Sequence, residues 1–175
     1  GAIFVHETYA VDPFSCEGCG VCAYVCPVAA VSLTPAVAGE LNLYADAEKV
    51  FSTARLNMGS GTSGLLVTAV KKRMQSAAAT LAIIDGSPGI GCPVIASLSG
   101  VDMVLIVAEP SVSGISDMAR IVATAAKFAT KTAVCINKYD TNLQHTEKIQ
   151  QFCATHGLPF VGKIPFDHGA VQAVN

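Results

Sequence analysis

The chain has 175 residues, 51% of them hydrophobic and 14% charged, with a formal net charge of −2 and a mean hydropathy of +0.50. This supplies ample apolar side chain for a core and excludes intrinsic disorder. The longest unbroken apolar runs, residues 21–26 and Met103–Ala108, fall far short of the roughly 20 residues a membrane-crossing helix needs, so no membrane span is expected.

Lys71-Lys72-Arg73 is the one basic cluster. It reads as an exposed helix face, and a nucleic-acid partner is not expected because such surfaces are broader. No charged segment followed by an apolar one opens the chain, so no signal peptide is visible, while the close cysteine spacing fits a metal site in a reducing compartment and a cytoplasmic setting is expected. The first residue is Gly, implying a processed start or a piece of a longer protein.

In chain order, the first part is short-stranded and punctuated by Gly and Cys. Extended pieces are expected at residues 2–8, 31–33 and 41–44, and a strand at Val50–Leu56. The run Gly59-Ser60-Gly61-Thr62-Ser63-Gly64 is Gly-rich but has no lysine to contact phosphate, and reads as a mobile loop. Leu65, Leu66, Ala69, Val70 and Met74 then recur at helical spacing, predicting a helix over 64–78.

Buried-strand runs follow at 81–84, Met103–Ala108, 132–136 and Phe160–Ile164. Between them, apolar residues at 115, 118, 121, 122, 125 and 128 predict an amphipathic helix over 113–130. Ser113 would be its N-cap, with Asp117 in the first turn, where the helix dipole favours an anion. Ile149, Phe152 and Cys153 mark one face of a last helix, closed by Gly157 and Pro159. Non-alternating strands separated by amphipathic helices predict a parallel sheet covered on both faces, an α/β architecture.

Four of the seven cysteines form Cys16-x2-Cys19-x2-Cys22-x3-Cys26-Pro27. This is the bacterial ferredoxin spacing for a [4Fe–4S] cluster. Gly18 and Gly20 let the backbone approach the cluster, and the proline turns the chain away. A zinc knuckle would show two separated cysteine pairs instead. In two-cluster ferredoxins the fourth cysteine serves the other cluster, so Cys16, Cys19 and Cys22 are expected to share one cluster and Cys26 to serve a second. Ala2-Ile3 and Ala30-Val31 look like the same position of a half-ferredoxin repeat. Cys92 reads as a small buried thiol at a helix start, and Cys135 and Cys153 as core residues.

Two further stretches suit a nucleotide. Asp85 ends the 81–84 run ahead of a Pro88-Gly89 loop; an aspartate there can hold Mg²⁺ through water, and the loop can offer an N–H to a γ-phosphate. Asn137-Lys138-Tyr139-Asp140 closes the third run, where a carboxamide can read a purine edge. Each is equally an ordinary strand-to-turn junction. No G-x-x-x-x-G-K-[ST] occurs in the chain.

Taken together, the cysteine run, residues 85–93, Glu109-Pro110-Ser111 with Asp117, residues 137–140 and Ile164-Pro165-Phe166-Asp167 resemble the MinD-superfamily P-loop ATPases that carry an inserted ferredoxin domain. The chain looks like the part of such a protein that follows the first cluster motif. The resemblance implies a mostly parallel P-loop NTPase-type sheet lacking its Walker A strand. Residues 1–48 would be the second half of a small α+β ferredoxin-like insert, and 49–175 the C-terminal part of the ATPase domain. It implies Asp85 as the Mg²⁺-associated catalytic aspartate, Gly89 as the γ-phosphate switch, and Asn137, Pro165 and Asp167 around the adenine. The implied cofactors are [4Fe–4S] and, in the full-length protein, Mg-ATP. The implied partners are ATP or ADP, a redox or cluster-accepting protein and a second copy in a homodimer. Nucleotide state would be coupled to electron transfer or cluster handling. The alternative is a non-catalytic electron or cluster carrier on an α/β platform.

Overall fold

The computed structural model describes residues 1–74 and 79–174, and the chain divides into two compact units, Gly1–Asp85 and Gly86–Asn175.

The first unit holds two small antiparallel sheets. Strands β1 (Ile3–Val5) and β2 (Tyr9–Val11) pair in register Ile3↔Val11, and β3 (Gly39–Ala45) pairs with β4 (Val50–Leu56) in register Gly39↔Leu56. The extended piece expected at 2–8 is thus interrupted after Val5, where His6 N–H donates to Thr8 O and the chain doubles back. Residues 31–33 form no strand. Asp46 shapes the β3–β4 turn by accepting from the N–H groups of Glu48 (2.8 Å) and Lys49 (2.7 Å).

Helix α1 (Val21–Val25) carries Cys22, and α2 (Ser63–Met74) packs on β3 and β4. The last four residues of the helix expected over 64–78 lie outside the described residues. The glycine-rich loop before α2 is anchored at its start: Asn57 donates to the carbonyls of Ala38 (2.8 Å, N–H) and Val37 (2.9 Å, Nδ2), and Ser60 N–H donates back to Asn57 O.

Leu81-Ala82-Ile83-Ile84 is not a strand. Apolar β-formers set a preference, but a strand needs a neighbour to close its ladder. No described strand pairs with this run, and Leu81 and Ile83 stay 74% and 81% exposed.

The second unit is built on a parallel three-stranded sheet, β5 (Met103–Ala108), β6 (Lys131–Asn137) and β7 (Phe160–Ile164), in that spatial order. Helices α4 (Val112–Ala126) and α5 (Leu143–Thr155) supply the crossovers, with α3 (Cys92–Leu98) before β5 and α6 (His168–Val174) after β7. Met118 of α4, Ile149 and Cys153 of α5, and Val94 and Leu98 of α3 share one apolar cluster with Val104, Ile106, Val134 and Ile136. All three helices therefore cover the same face.

Both faces were expected to be covered; the central β6 is, with Ala133, Val134, Cys135 and Ile136 all buried, but the edge strand β5 is not. On β5 burial alternates strictly, with Met103, Leu105 and Val107 half-exposed or more opposite the buried Val104, Ile106 and Ala108. The cause is topological: right-handed crossovers stepping twice in one direction place both helices on one side. The N-cap of α4 is Ser111, whose Oγ accepts from Gly114 N–H at 2.9 Å, not Ser113. Starting at Val112, the helix carries Asp117 into its second turn, 3.9 Å from Arg120. Cys135 and Cys153 are buried as expected, whereas Cys92 begins α3 but is exposed.

Candidate metal centre

The cysteine segment is shaped by its backbone. Asp12 begins it: its carboxylate accepts from Phe14 N–H (3.0 Å) and from the Ser15 hydroxyl. The Ser15 hydroxyl, then the Phe14 N–H, hold the Asp12 carboxyl below its ordinary range. Gly18 and Gly20 lie at φ +64° and +76°, conformations in which a Cβ is strained, so the turns between Cys16, Cys19 and Cys22 require glycine. Gly20 begins α1, which lifts Cys22 onto a short helix, and Cys26 ends it.

The chain then wraps round the Cys26 sulfur. Ala30 N–H donates to Sγ at 3.2 Å, and Ala29 adopts φ +50° to allow the turn. This N–H of Ala30 first, then that of Val28, lowers the Cys26 thiol from its ordinary value, against the opposing effect of burial. Hydrogen bonds to sulfur favour thiolate, the form that ligates metal.

Cys16, Cys22 and Cys26 are half-buried, Cys19 is exposed, and all four are free thiols. Among the described residues no three Cys, His, Asp or Glu side chains converge as they would on a single metal ion. The segment offers soft thiolates on glycine turns with amide hydrogens aimed at sulfur, a donor set suited to an iron–sulfur cluster.

At the other candidate site, Asn137 ends β6 in register with Ile164, so Asn137, Pro165 and Asp167 come to the carboxyl end of the parallel sheet. Their polar atoms are used locally. Asn137 Oδ1 accepts from Lys138 N–H (3.0 Å), and Asp167 Oδ1 accepts from Gly169 N–H (2.7 Å). Asp85 is the last residue of the first unit, and Gly89, at φ +88°, lies in the loop before α3 with open space where a Cβ would be.

The sequence reading included Glu109, residues 137–140 and Phe166 among its motifs but did not foresee three contacts made here. Lys138, at φ +54°, reaches Glu109; Asp140 Oδ1 accepts from Phe166 N–H (2.8 Å); and Lys163 lies over the Tyr139 ring. The Glu109–Lys138 pair is foreshadowed by opposite charges closing successive strand runs; the other two contacts depend on β7 pairing beside β6.

Comparison with known proteins decides the first site. Residues 9–32 match the family model described as a 4Fe-4S binding domain. The chain carries an iron–sulfur binding segment. Over 111 residues it is 32% identical to the uncharacterized protein MJ0578 of Methanocaldococcus jannaschii, covering 63% of this chain and 38% of that protein. Over 83 residues it is 34% identical to the uncharacterized protein MJ0579 of the same organism, covering 47% of this chain and 31% of that protein. The chain thus spans well under half the length of either relative. No solved structure matches it significantly. Among the described residues no helix is long and apolar enough to cross a membrane.

Proposed function

We propose that the chain is an iron–sulfur electron or cluster carrier whose cluster segment answers to a nucleotide, as in the ferredoxin-bearing MinD-superfamily ATPases that its motifs resemble. The observation that carries the reading is the Cys26 sulfur held among amide hydrogens at the end of a ferredoxin-spaced cysteine run.

A bound [4Fe–4S] cluster supplies one-electron transfer. Cys16, Cys19 and Cys22 hold one cluster, and Cys26 serves a second. In this reading residues 1–48 belong to a ferredoxin-like insert and 49–175 to a P-loop ATPase domain. The protein works as a cytoplasmic homodimer that passes electrons or a cluster to a protein partner.

On the nucleotide side, Asp85 holds Mg²⁺, Gly89 answers to the γ-phosphate, and Asn137, Pro165 and Asp167 surround adenine. Support comes from the gathering of Asn137, Pro165 and Asp167 outside the carboxyl ends of parallel strands, where α/β sheets take ligands. The sequence has no lysine-bearing phosphate loop, and phosphate contacts provide most of the affinity of such sites. The 175-residue chain alone is therefore expected to bind Mg-ATP no tighter than roughly millimolar, about −4 kcal/mol, by calorimetry.

The deciding experiment is anaerobic isolation followed by iron and sulfide analysis and electron paramagnetic resonance of the reduced protein. A cluster signal is expected, and protein without iron or sulfide sinks the carrier reading. Redox titration of the native protein with and without Mg-ATP then tests the coupling. A potential shift that disappears in Asp85→Asn is expected; no response to nucleotide leaves the non-catalytic carrier.

A further inference from the structure

The glycine-rich loop ahead of α2 lies directly against the start of the cysteine run. A Cβ placed on Gly61 would stand 2.9 Å from Glu17 Cγ and 3.2 Å from Glu17 Cα, and one on Gly59 would stand 3.0 Å from the Phe14 ring. Glu17 sits between Cys16 and Gly18, so the backbone that Gly61 touches is the backbone that sets Cys16 and Cys19.

The two glycines differ in kind. Gly59 lies at φ +85°, where glycine is needed for conformation alone, but Gly61 has no left-handed φ. At Gly61 the residue matters only for the space it leaves. That space is backed by firm structure. Asn57 ties the loop to residues 37 and 38, and Leu66 N–H donates to Thr62 O at 3.1 Å, joining the loop to the first turn of α2.

We propose that Gly61 is a positioning residue for the iron–sulfur site: the loop between β4 and α2 is the wall on which the Cys16–Cys19 turn is seated. The proposal rests on the iron–sulfur reading of the cysteine run. Because the wall continues into α2, a displacement of that helix shifts the turn that presents Cys16 and Cys19, and any added side chain at residue 61 does the same. Groups that orient metal ligands without touching the metal commonly carry a 10- to 100-fold effect on retention.

The test compares wild type with Gly61→Ala, Gly61→Val and the neighbouring control Ser60→Ala, each as the full chain reconstituted without oxygen. Both Gly61 variants should keep the wild-type circular dichroism spectrum, lose iron to a chelator about 10-fold faster, and shift the midpoint potential and resonance lines of the reduced cluster. Ser60→Ala should match wild type.

A second measurement needs no cluster. In metal-free protein, alkylation of Cys16 and Cys19, followed by mass spectrometry, should change in rate in Gly61→Ala and Gly61→Val and not in Ser60→Ala. Unchanged alkylation rates overturn the proposal even if the valine variant folds poorly, as do unchanged iron loss and potential in Gly61→Ala. Wild-type protein that takes up no iron overturns the iron–sulfur reading instead, while the alkylation result still judges the packing.

Discussion

Lys138 Nζ lies 2.6 Å from Glu109 Oε1, an ion pair that ties the segment after β5 to the segment after β6. Both side chains are about half-exposed, so the attraction is screened and contributes at most about 1 kcal/mol. Against it stands the left-handed backbone of Lys138, which costs a Cβ-bearing residue about 1 kcal/mol. Lys138→Gly should therefore stay within about 1 kcal/mol of wild type, losing the pair and relieving the strain. Lys138→Ala should be less stable than Lys138→Gly by about 1 kcal/mol, since it loses the pair and keeps the strain. Urea denaturation of the two variants checks the order.

The cysteines should separate into two classes. Cys153 is 1% exposed in the apolar cluster, and burial raises its thiol above the ordinary value. Cys153→Ser places a hydroxyl among apolar neighbours and should cost about 1–3 kcal/mol. Its iron content should equal that of wild type. Cys19→Ser should show the reverse, an unchanged denaturation midpoint in the metal-free protein with loss of iron. Paired unfolding curves and iron assays check both halves.

Legibility followed whether a side chain's partners were nearby in sequence or set by the sheet. The runs that became β5 and β6 were readable as unbroken apolar stretches in the sequence, β7 from Phe160, Val161 and Ile164, and Met118 and Ile149 lie on the faces their spacing indicates. Residues 81–84 have the same composition and no ladder, because pairing depends on a neighbour that composition does not reveal. Ser111 and Ser113 are both adequate caps; the choice fell to Ser111 because the helix begins one residue before Ser113. The start of α3 at Cys92 was legible, because proline suits a first helical turn, but the exposure of the Cys92 thiol was not. In the candidate site the residue types of the cysteine run were legible, but the amide hydrogens of residues 28–31 belong to the backbone and carry no side-chain signature.

Asp46 gives the β3–β4 turn a dependence on pH. The N–H groups of Glu48 and then Lys49 hold its carboxyl below the ordinary value of 3.8. A lowered native pKa stabilises the turn fully above the unfolded value, and that contribution is lost as pH falls through the native value. The amide resonances of Glu48 and Lys49 should thus shift together with a midpoint below pH 3.8. In Asp46→Asn the same titration should vanish, as nuclear magnetic resonance across the acid range would show.

Ser52 on β4 is 8% exposed, and its hydroxyl has no hydrogen-bond partner among the described residues. Burying an unpaired hydroxyl is unfavourable, so Ser52→Ala should stabilise the first unit by about 1 kcal/mol. Slower hydrogen exchange across β3 and β4 in the variant is the expected readout.

The buried apolar side chains of the described residues all lie between Val94 and Cys153, while Ser52 is the one buried side chain among the described residues of the first unit, and Phe14 and Tyr24 are 80% and 92% exposed. During synthesis the ribosome releases these residues in order, and each unit folds as it emerges. The thiols of Cys16 to Cys26 therefore reach the cell before the strands of the parallel sheet have been made. The apolar cluster that the described residues bury can close only after those thiols have left the ribosome.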